Sequence, residues 1–352
     1  MFLQSSLFKD TPYKHGIANR YAFCHAARKT FSNVKSAMAG SWLKEEDIFA
    51  DEIIVTPKQV PVQPAVDPFL DTVEEAEVFI GLLDTIFLLS YATGLYVCGV
   101  LGDRVNMRNL LVFGMSGSAF MMFMFGTVSE WLGYYNRIYY ATFWILNGLL
   151  QGTTWPTLVA IMGNWFGITG RGFILGLWSS SASVGNIIGA FSVSMSVNQG
   201  YEYAFLTTSI MLIGWSMIVE TNEKKQTSAQ TKDESEESPL TVADGTEAIG
   251  FIEALMVPGV LIFAVSFGFL KMVHYSMLFW LPFYLTSSFN WVEAKSARIT
   301  MLYDIGGAVG GTLSGLVSDF AGRRIPVVVT MLILSIISVF GYNCEYIDPE
   351  VD

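Results

Sequence analysis

The sequence predicts an all-α protein that crosses a membrane several times. Of its 352 residues, 52% are hydrophobic and only 14% are charged, whereas soluble domains have about 25% charged residues. A helix needs roughly 20 mostly apolar residues to span the hydrocarbon core. Eight segments meet this requirement: residues 78–101, 109–129, 138–163, 172–197, 203–219, 255–287, 299–317 and 325–342.

The opening stretch is the least typical part of this pattern. Residues 18–42 contain five basic or imidazole side chains: Arg20, His25, Arg28, Lys29 and Lys35. Hydropathy alone would not predict a membrane span with so many polar groups. We therefore expect a partial first helix.

Net charge and motifs exclude several classes of protein. The formal net charge is −11, which argues against nucleic acid as a partner, because phosphate contacts need a basic surface. The three cysteines show no disulfide or zinc spacing. No motif for a catalytic residue, a cofactor or a metal is evident, so we expect none of these.

Basic residues in the loops predict the orientation. The turns after residues 101, 163 and 317 are basic, and so is part of the acidic stretch 220–249. This stretch has little to bury and is predicted to be a disordered cytosolic linker. The acidic loop 44–77 then lies on the opposite side, in the lumen or outside the cell.

Two loops predict an internal repeat. "GVLGDRVNMR" begins at Gly99 and "GLVSDFAGRR" begins at Gly315, and each follows an apolar helix. Glycine lets helices approach closely, and Asp pairs with a nearby Arg or with a helix N-terminus. Repeated halves are typical of secondary transporters. The predicted conformational latch comprises Gly99, Asp103, Arg104, Arg108, Gly315, Asp319, Arg323 and Arg324.

The repeat also relates two polar triplets. Lys271, His274 and Tyr275 stand at positions i, i+3 and i+4, the spacing that His25, Arg28 and Lys29 show in the opening stretch. Each triplet shares one helical face, and ionisable groups within a membrane usually face the interior of a bundle. Neither triplet contains a carboxylate. An anion from outside, such as an organic phosphate, is therefore the predicted partner.

Five longer motifs extend this interpretation. They are "RKTFSNVK" from Arg28, "LDTIFLLSYATGLYVCGVLGDR" from Leu83, "NGLLQGTTWPTLVAIMGNWFG" from Asn147, "RGFILGLWSSSASVGNIIGA" from Arg171 and "YDIGGAVGGTLSGLVSD" from Tyr303. Together they resemble the major facilitator superfamily. Within it, the chain is similar to the organophosphate:phosphate antiporters of the sugar phosphate exchanger group.

The resemblance implies a fold of twelve helices in two bundles, of which this chain has about nine. Residues 1–219 would form the N-terminal six-helix bundle with a partial first helix, 220–249 the linker, and 250–352 helices seven to nine. The implied function is exchange of a sugar phosphate or other organic phosphate for inorganic phosphate by alternating access. The implied location is the endoplasmic reticulum membrane, with the lysosomal or endosomal membrane as the alternative.

The resemblance also implies roles for individual residues. Arg28 matches a phosphate-binding arginine of the first helix. The matching position of the seventh helix is His274, with Lys271 one turn away, so Lys271 is a candidate for the second cation. Tyr91 and Asp304 match polar positions that face the cavity. The other binding candidates are His25, Lys29 and Tyr275.

Three other functions remain open at this stage. The chain could be a transport-inactive short form that acts as a membrane scaffold or regulator. A membrane phosphatase would need a nucleophile with an acid–base partner, which the apolar segments lack, so we predict that the chain is not an enzyme. A sugar–proton symporter would need a carboxylate in the first bundle, and Asp84 is the candidate. The predicted partners are the lipid bilayer, an organic phosphate and inorganic phosphate. The sequence leaves open whether there is also an accessory membrane subunit.

Overall fold

A computed structural model of the chain describes residues 12–43, 69–102, 107–165, 171–233 and 256–345, together with residues 105 and 253. Throughout these ranges the regular structure is helical. The helices are α1 (Pro12–Trp42), α2 (Val73–Gly102), α3 (Met107–Met122), α4 (Ser129–Leu132), α5 (Arg137–Gln151), α6 (Thr154–Trp165), α7 (Arg171–Ser196), α8 (Tyr201–Asp233), α9 (Val260–Phe289), α10 (Glu293–Ala321) and α11 (Arg324–Glu345).

These helices form nine rods within the described residues. A π-helical segment, Phe123–Val128, joins α3 to α4, and α5 and α6 follow each other with only Gly152 and Thr153 between them. Three helical stretches are long and apolar enough to cross a membrane by length and composition: Val73–Gly99, Asn109–Leu132 and Val260–Phe289. The architecture agrees with an incomplete two-bundle membrane fold.

Helix α1 is longer than the sequence predicted. We expected a partial first helix, but α1 has 31 residues, which corresponds to roughly 46 Å at 1.5 Å per residue. The prediction missed this length because a composition threshold counts each charged side chain as unfavourable. In the structure, the charges of α1 have partners on other helices, as described below.

Helix α8 also extends beyond its predicted end. The sequence placed the start of a disordered linker at residue 220, whereas α8 continues to Asp233. Glu, Lys and Gln are good helix formers, so a polar composition does not by itself end a helix. The rest of the predicted linker, residues 234–249, lies outside the described residues.

Local sequence explains where α5 and α6 begin. The Asn136 side chain caps α5 by accepting hydrogen bonds from the backbone amides of Ile138 and Tyr139, at 2.9 and 3.1 Å. Helix α5 ends at Gln151, and Pro156 lies in the first turn of α6. Proline is tolerated there because first-turn amides lack an intrahelical partner.

Helix α1 lies at the centre of the molecule. It packs against α7 and α8 of the first bundle and against α9 and α10 of the second. Small residues of α7 let α1 approach closely, because a Cβ atom on Gly189 would lie 2.5 Å from the Ala26 carbonyl oxygen. Close backbone approach of this kind is typical of membrane helices.

Aromatic rings fill the space between helices of the first bundle. Phe125 of the π-helical segment stacks on Trp144 with ring centroids 4.3 Å apart, and Phe31 lies 4.7 Å from the same ring. By contrast, much of α11 and of the first half of α9 exposes large apolar side chains. The buried core therefore surrounds α1, and the second bundle reaches it through α9 and α10.

Candidate functional site

The site is built around one turn of α1, where Arg28 is only 3% exposed. Its Nε donates a 2.6 Å hydrogen bond to Oε1 of Gln151, and its Cζ lies 4.1 Å from the centroid of the Tyr91 ring. Asn147 and Ser118 extend this network, because both Gln151 Nε2 and Ser118 Oγ donate to Asn147 Oδ1. The first bundle thus fixes the guanidinium through its Nε atom and through the Tyr91 ring.

Two residues of α9 in the second bundle, Lys271 and Tyr275, lie on the side of the site that faces Arg28. The Nζ of Lys271 lies 5.6 Å from the centroid of the Tyr275 ring. Arg28 interacts electrostatically with both side chains. The structure therefore brings together the two predicted cations from the two halves, with the aromatic rings of Tyr91 and Tyr275 beside them.

Lys29 has a different environment from its neighbour Arg28. Its Nζ lies 3.8 Å from Oδ2 of Asp304 on α10, and it also makes a long contact of 3.5 Å with the carbonyl oxygen of Leu278. The other carboxylate oxygen of Asp304 accepts a 2.7 Å hydrogen bond from Asn186 of α7. The sequence predicted cationic triplets without a carboxylate, and the structure supplies one from a distant helix.

The two histidines line the space between these groups. His25 is 4% exposed, and neither of its ring nitrogens has a hydrogen-bond partner among the described residues. Its neighbours include Arg28, Lys271 and His274. His274 is less buried, and its Nδ1 lies 3.4 Å from the hydroxyl group of Tyr303. Both imidazoles therefore remain available for hydrogen bonds to a polar guest.

An aromatic wall that the sequence did not assign to the site lies next to His25. We use this name for Tyr21, Trp155 and Trp178. The two indole rings stack at 4.9 Å, and the Tyr21 ring lies 5.5 Å from Trp178 and 4.5 Å from His25. The indole nitrogen of Trp178 is buried without a hydrogen-bond partner among the described residues. Spacing on α1 gives a signal for Tyr21, since residues 21, 25 and 28 share a face, but nothing local connects it to Trp178.

A second buried ion pair lies one to two turns further along α1. Lys35 Nζ makes a short contact with Oδ2 of Asp84 on α2. The ring of Trp280 covers the ammonium group at 4.1 Å. Asp84, the candidate carboxylate for a proton symporter, is therefore engaged with a lysine.

The predicted latch is only partly within the described residues. Asp103 and Arg104 lie outside them, and of Arg108 only the helical backbone is described. A Cβ on Gly99 would meet no described atom within 4 Å, and the close approach expected at this position stays a prediction. A close approach of α2 occurs at Gly94, where a Cβ would lie 2.6 Å from the Leu149 carbonyl oxygen.

The second copy of the latch forms the junction between α10 and α11. Asp319 lies in the last turn of α10, Arg323 precedes α11 and Arg324 begins it, and all three are exposed. Gly315 and Arg324 border an open groove of about 530 Å³ between α7, α10 and α11. The pairing of Asp with Arg in these loops stays a prediction.

The arrangement suits an anion better than a metal. Among the described residues, no group of three or more His, Cys, Asp or Glu side chains could hold a metal ion. Arg28 and Lys271 provide positive charge from two sides, and the histidines and Trp178 provide hydrogen-bonding nitrogens. Such a set of groups is chemically complementary to a phosphate with a polar organic substituent.

Comparison with known proteins identifies the family. Residues 63–342 match the Major Facilitator Superfamily profile. The chain belongs to the major facilitator superfamily. It is 43% identical over 355 residues to Sugar phosphate exchanger 3 of Xenopus laevis, covering 92% of this chain and 70% of that protein. Sugar phosphate exchanger 3 of Homo sapiens is 41% identical over 386 residues, covering 100% of this chain and 77% of that protein.

A more distant relative supports the same group. Glucose-6-phosphate exchanger SLC37A2 of Danio rerio is 33% identical over 293 residues, covering 75% of this chain and 58% of the relative. These matches confirm the resemblance to sugar phosphate exchangers within the superfamily. The chain is therefore an integral membrane protein of a transporter family and not of an enzyme family.

Proposed function

We propose that the chain is a secondary transporter that exchanges an organic phosphate, in particular a sugar phosphate, for inorganic phosphate. One observation carries the proposal: buried Arg28 of the first bundle and Lys271 of the second interact across the space between the bundles. Two cations that share a partly buried space repel each other, which is unfavourable without a counter-ion. A phosphate that enters between them supplies that counter-ion.

The phosphate is held first by Arg28, whose guanidinium matches two phosphate oxygens. Lys271 and His274 approach from α9 and complete the contact. The aromatic wall extends from His25 away from Arg28, so the organic substituent lies against Tyr21, Trp155 and Trp178. These rings pack on the carbon–hydrogen surface of a sugar. The Trp178 indole N–H donates a hydrogen bond to a sugar hydroxyl group, and the two His25 ring nitrogens donate to one hydroxyl group and accept from another.

Exchange follows from the change in charge. When phosphate occupies the site, the repulsion between Arg28 and Lys271 is compensated, and the two bundles rock about it. When the site is empty, closure would bury uncompensated cations, so the carrier returns only with another anion. The predicted latch at Asp319 and Arg323, with its first-half counterpart, stabilises one facing state.

The location forms part of this proposal and rests on the resemblance to the sugar phosphate exchanger group. We place the protein in the endoplasmic reticulum membrane, with a lysosomal or endosomal membrane as the alternative. The division into a first bundle, residues 1–219, and a second part from residue 250 forms part of the same proposal.

Counterflow in proteoliposomes tests the function. The purified chain is reconstituted with internal unlabelled phosphate, and uptake of radioactive phosphate is measured. Arg28→Ala is expected to lower uptake by about tenfold or more, because each charge-assisted hydrogen bond contributes ~1.5–3 kcal/mol. Arg28→Lys keeps the charge but loses the fork geometry, and is expected to lie between Arg28→Ala and the unmodified chain.

Arg137→Gln serves as the control, since Arg137 is exposed and pairs with Glu75 far from the site. Uptake by Arg28→Ala at the unmodified rate contradicts the assignment of the site. A correctly folded unmodified chain without counterflow favours the alternative function, a transport-inactive membrane scaffold.

A further inference from the structure

The space between the bundles contains four charged side chains, Arg28, Lys29, Lys271 and Asp304. Three of them are positive and one is negative. Lys29 and Asp304 are almost completely buried, at 0% and 2% exposure. Lys35 and Asp84, the next charges along α1 and α2, neutralise each other. The arrangement therefore has a definite charge balance, in which Asp304 offsets one of the three cations.

The position of Asp304 fixes which cation it offsets. Asn186 of α7 holds its Oδ1 at 2.7 Å, and its Oδ2 faces Lys29 Nζ at 3.8 Å. Oδ2 has no hydrogen-bond partner among the described residues. A direct N–H···O contact of this kind is normally 2.7–2.9 Å, so the two charges cancel without a tight hydrogen bond. Arg28 and Lys271 remain as two positive charges without a carboxylate within the described site.

We infer that the Lys29–Asp304 pair determines which ligand charge the site prefers. With the pair intact, the site binds a dianionic phosphate monoester more tightly than a monoanionic phosphate diester. The inference rests on the proposed phosphate site. Asp304 acts here as a specificity-determining residue without touching the ligand, and Lys29 acts with it. Neither residue needs to bind phosphate directly for the site to present two positive charges.

Electrostatics makes the inference quantitative. The interaction of the site with a ligand is proportional to the ligand charge. One added positive charge therefore changes the binding free energy of a dianion by twice the change for a monoanion. As a result, the ratio of the two affinities changes by about the same factor as the affinity of the monoanion, on the order of tenfold for a charge several ångströms away.

The experiment measures this ratio in the full chain at pH 8. There a phosphate monoester is dianionic and a free imidazole is neutral. Radioactive inorganic phosphate bound to purified protein is displaced by methyl phosphate, a dianion, or by dimethyl phosphate, a monoanion. The difference in size between the two competitors cancels when the same ratio is compared between variants.

Four proteins carry the test. Asp304→Asn adds a net positive charge and is expected to raise the preference for methyl phosphate about tenfold. Lys29→Gln removes one and is expected to lower it about tenfold. The double variant Lys29→Gln/Asp304→Asn keeps the original charge balance and is expected to return to the unmodified ratio. Glu75→Gln removes an exposed carboxylate from the Arg137 pair and is expected to leave the ratio unchanged.

The outcomes separate the inference from the function. An unmodified chain that binds phosphate, with the same ratio in both single variants, overturns the inference alone. A double variant that binds both competitors weakly, with the low ratio of Lys29→Gln, overturns it as well, because Lys29 would then be a direct ligand. If an unmodified, folded chain does not bind phosphate, the proposed function and the inference are both wrong. Where one single variant does not fold, the other single variant still decides, because only an influence of the pair makes its ratio differ from that of the double variant.

Discussion

Two buried lysines of α1, Lys29 and Lys35, are neutralised in different ways. Lys35 makes a short ion pair with Asp84 of the same bundle, and Trp280 covers it. Lys29 faces Asp304 of the other bundle at 3.8 Å. Helices of one bundle move together during alternating access, so a pair between them can be tight and permanent. A pair between bundles must separate when the bundles move, and a loose contact makes that easier.

The largest effect on stability is expected at the tight pair. Asp84→Asn keeps the shape of the side chain but leaves the Lys35 ammonium group buried without a carboxylate. Breaking a buried pair in this way is expected to destabilise the fold by about 3–5 kcal/mol. Thermal unfolding of the detergent-solubilised chain, followed by size-exclusion chromatography, measures the loss as a lower midpoint.

A paired replacement provides the control for this variant. Lys35→Met/Asp84→Leu removes both charges and fills the space with apolar groups, so it is expected to recover most of the stability. A midpoint for Asp84→Asn equal to that of the unmodified chain would show that the pair contributes little, and the contrast between the two lysines would disappear.

A smaller effect is expected at the loose pair. Lys29→Met removes a cation whose contacts are 3.8 and 3.5 Å long, while Asp304 keeps its hydrogen bond from Asn186. The expected loss is about 1–2 kcal/mol, less than that of Asp84→Asn in the same unfolding assay. An equal or greater loss would mean that the contact between the bundles is as important for stability as the one within the bundle.

The difference between these pairs also shows what the sequence could predict. Apolar segments of about 20 residues predicted where the long helices lie, because length and composition are local properties. Within the described residues, three helical stretches are long and apolar enough to cross a membrane. The repeat brought Lys271 into correspondence with the α1 triplet, and in the structure Lys271 interacts electrostatically with Arg28. Correspondence between halves is thus a signal that local hydropathy does not contain.

The partners of the charges could not be predicted in the same way. Asp84 is 49 residues from Lys35, and Asp304 is 275 residues from Lys29. Which carboxylate neutralises which lysine depends on how helices pack, and neither distance follows from helical spacing. For the same reason the sequence did not identify Gln151 as the partner of Arg28. A search for polar residues one turn apart in apolar helices would have found Asn147 with Gln151, although not their partner.

The smallest effect is expected where an aromatic ring covers a lysine. Trp280→Phe retains a ring over Lys35 but gives a weaker cation–π contact. The expected loss is about 0.5–1 kcal/mol, because the Lys35–Asp84 ion pair remains. The unfolding midpoint should therefore fall by less than it does in either of the lysine-pair variants.

Trp291→Phe is the matched control for this last prediction. Lys295 lies 4.0 Å from the Trp291 ring, nearly the distance between Lys35 and Trp280, but Lys295 is exposed whereas Lys35 is fully buried. Water competes for the exposed ammonium group, so Trp291→Phe is expected to leave the midpoint unchanged within error. Equal losses in the two variants would mean that burial does not strengthen the contact. The Trp280 ring over Lys35 would then contribute only van der Waals packing, and the Lys35 charge would be stabilised by Asp84 alone.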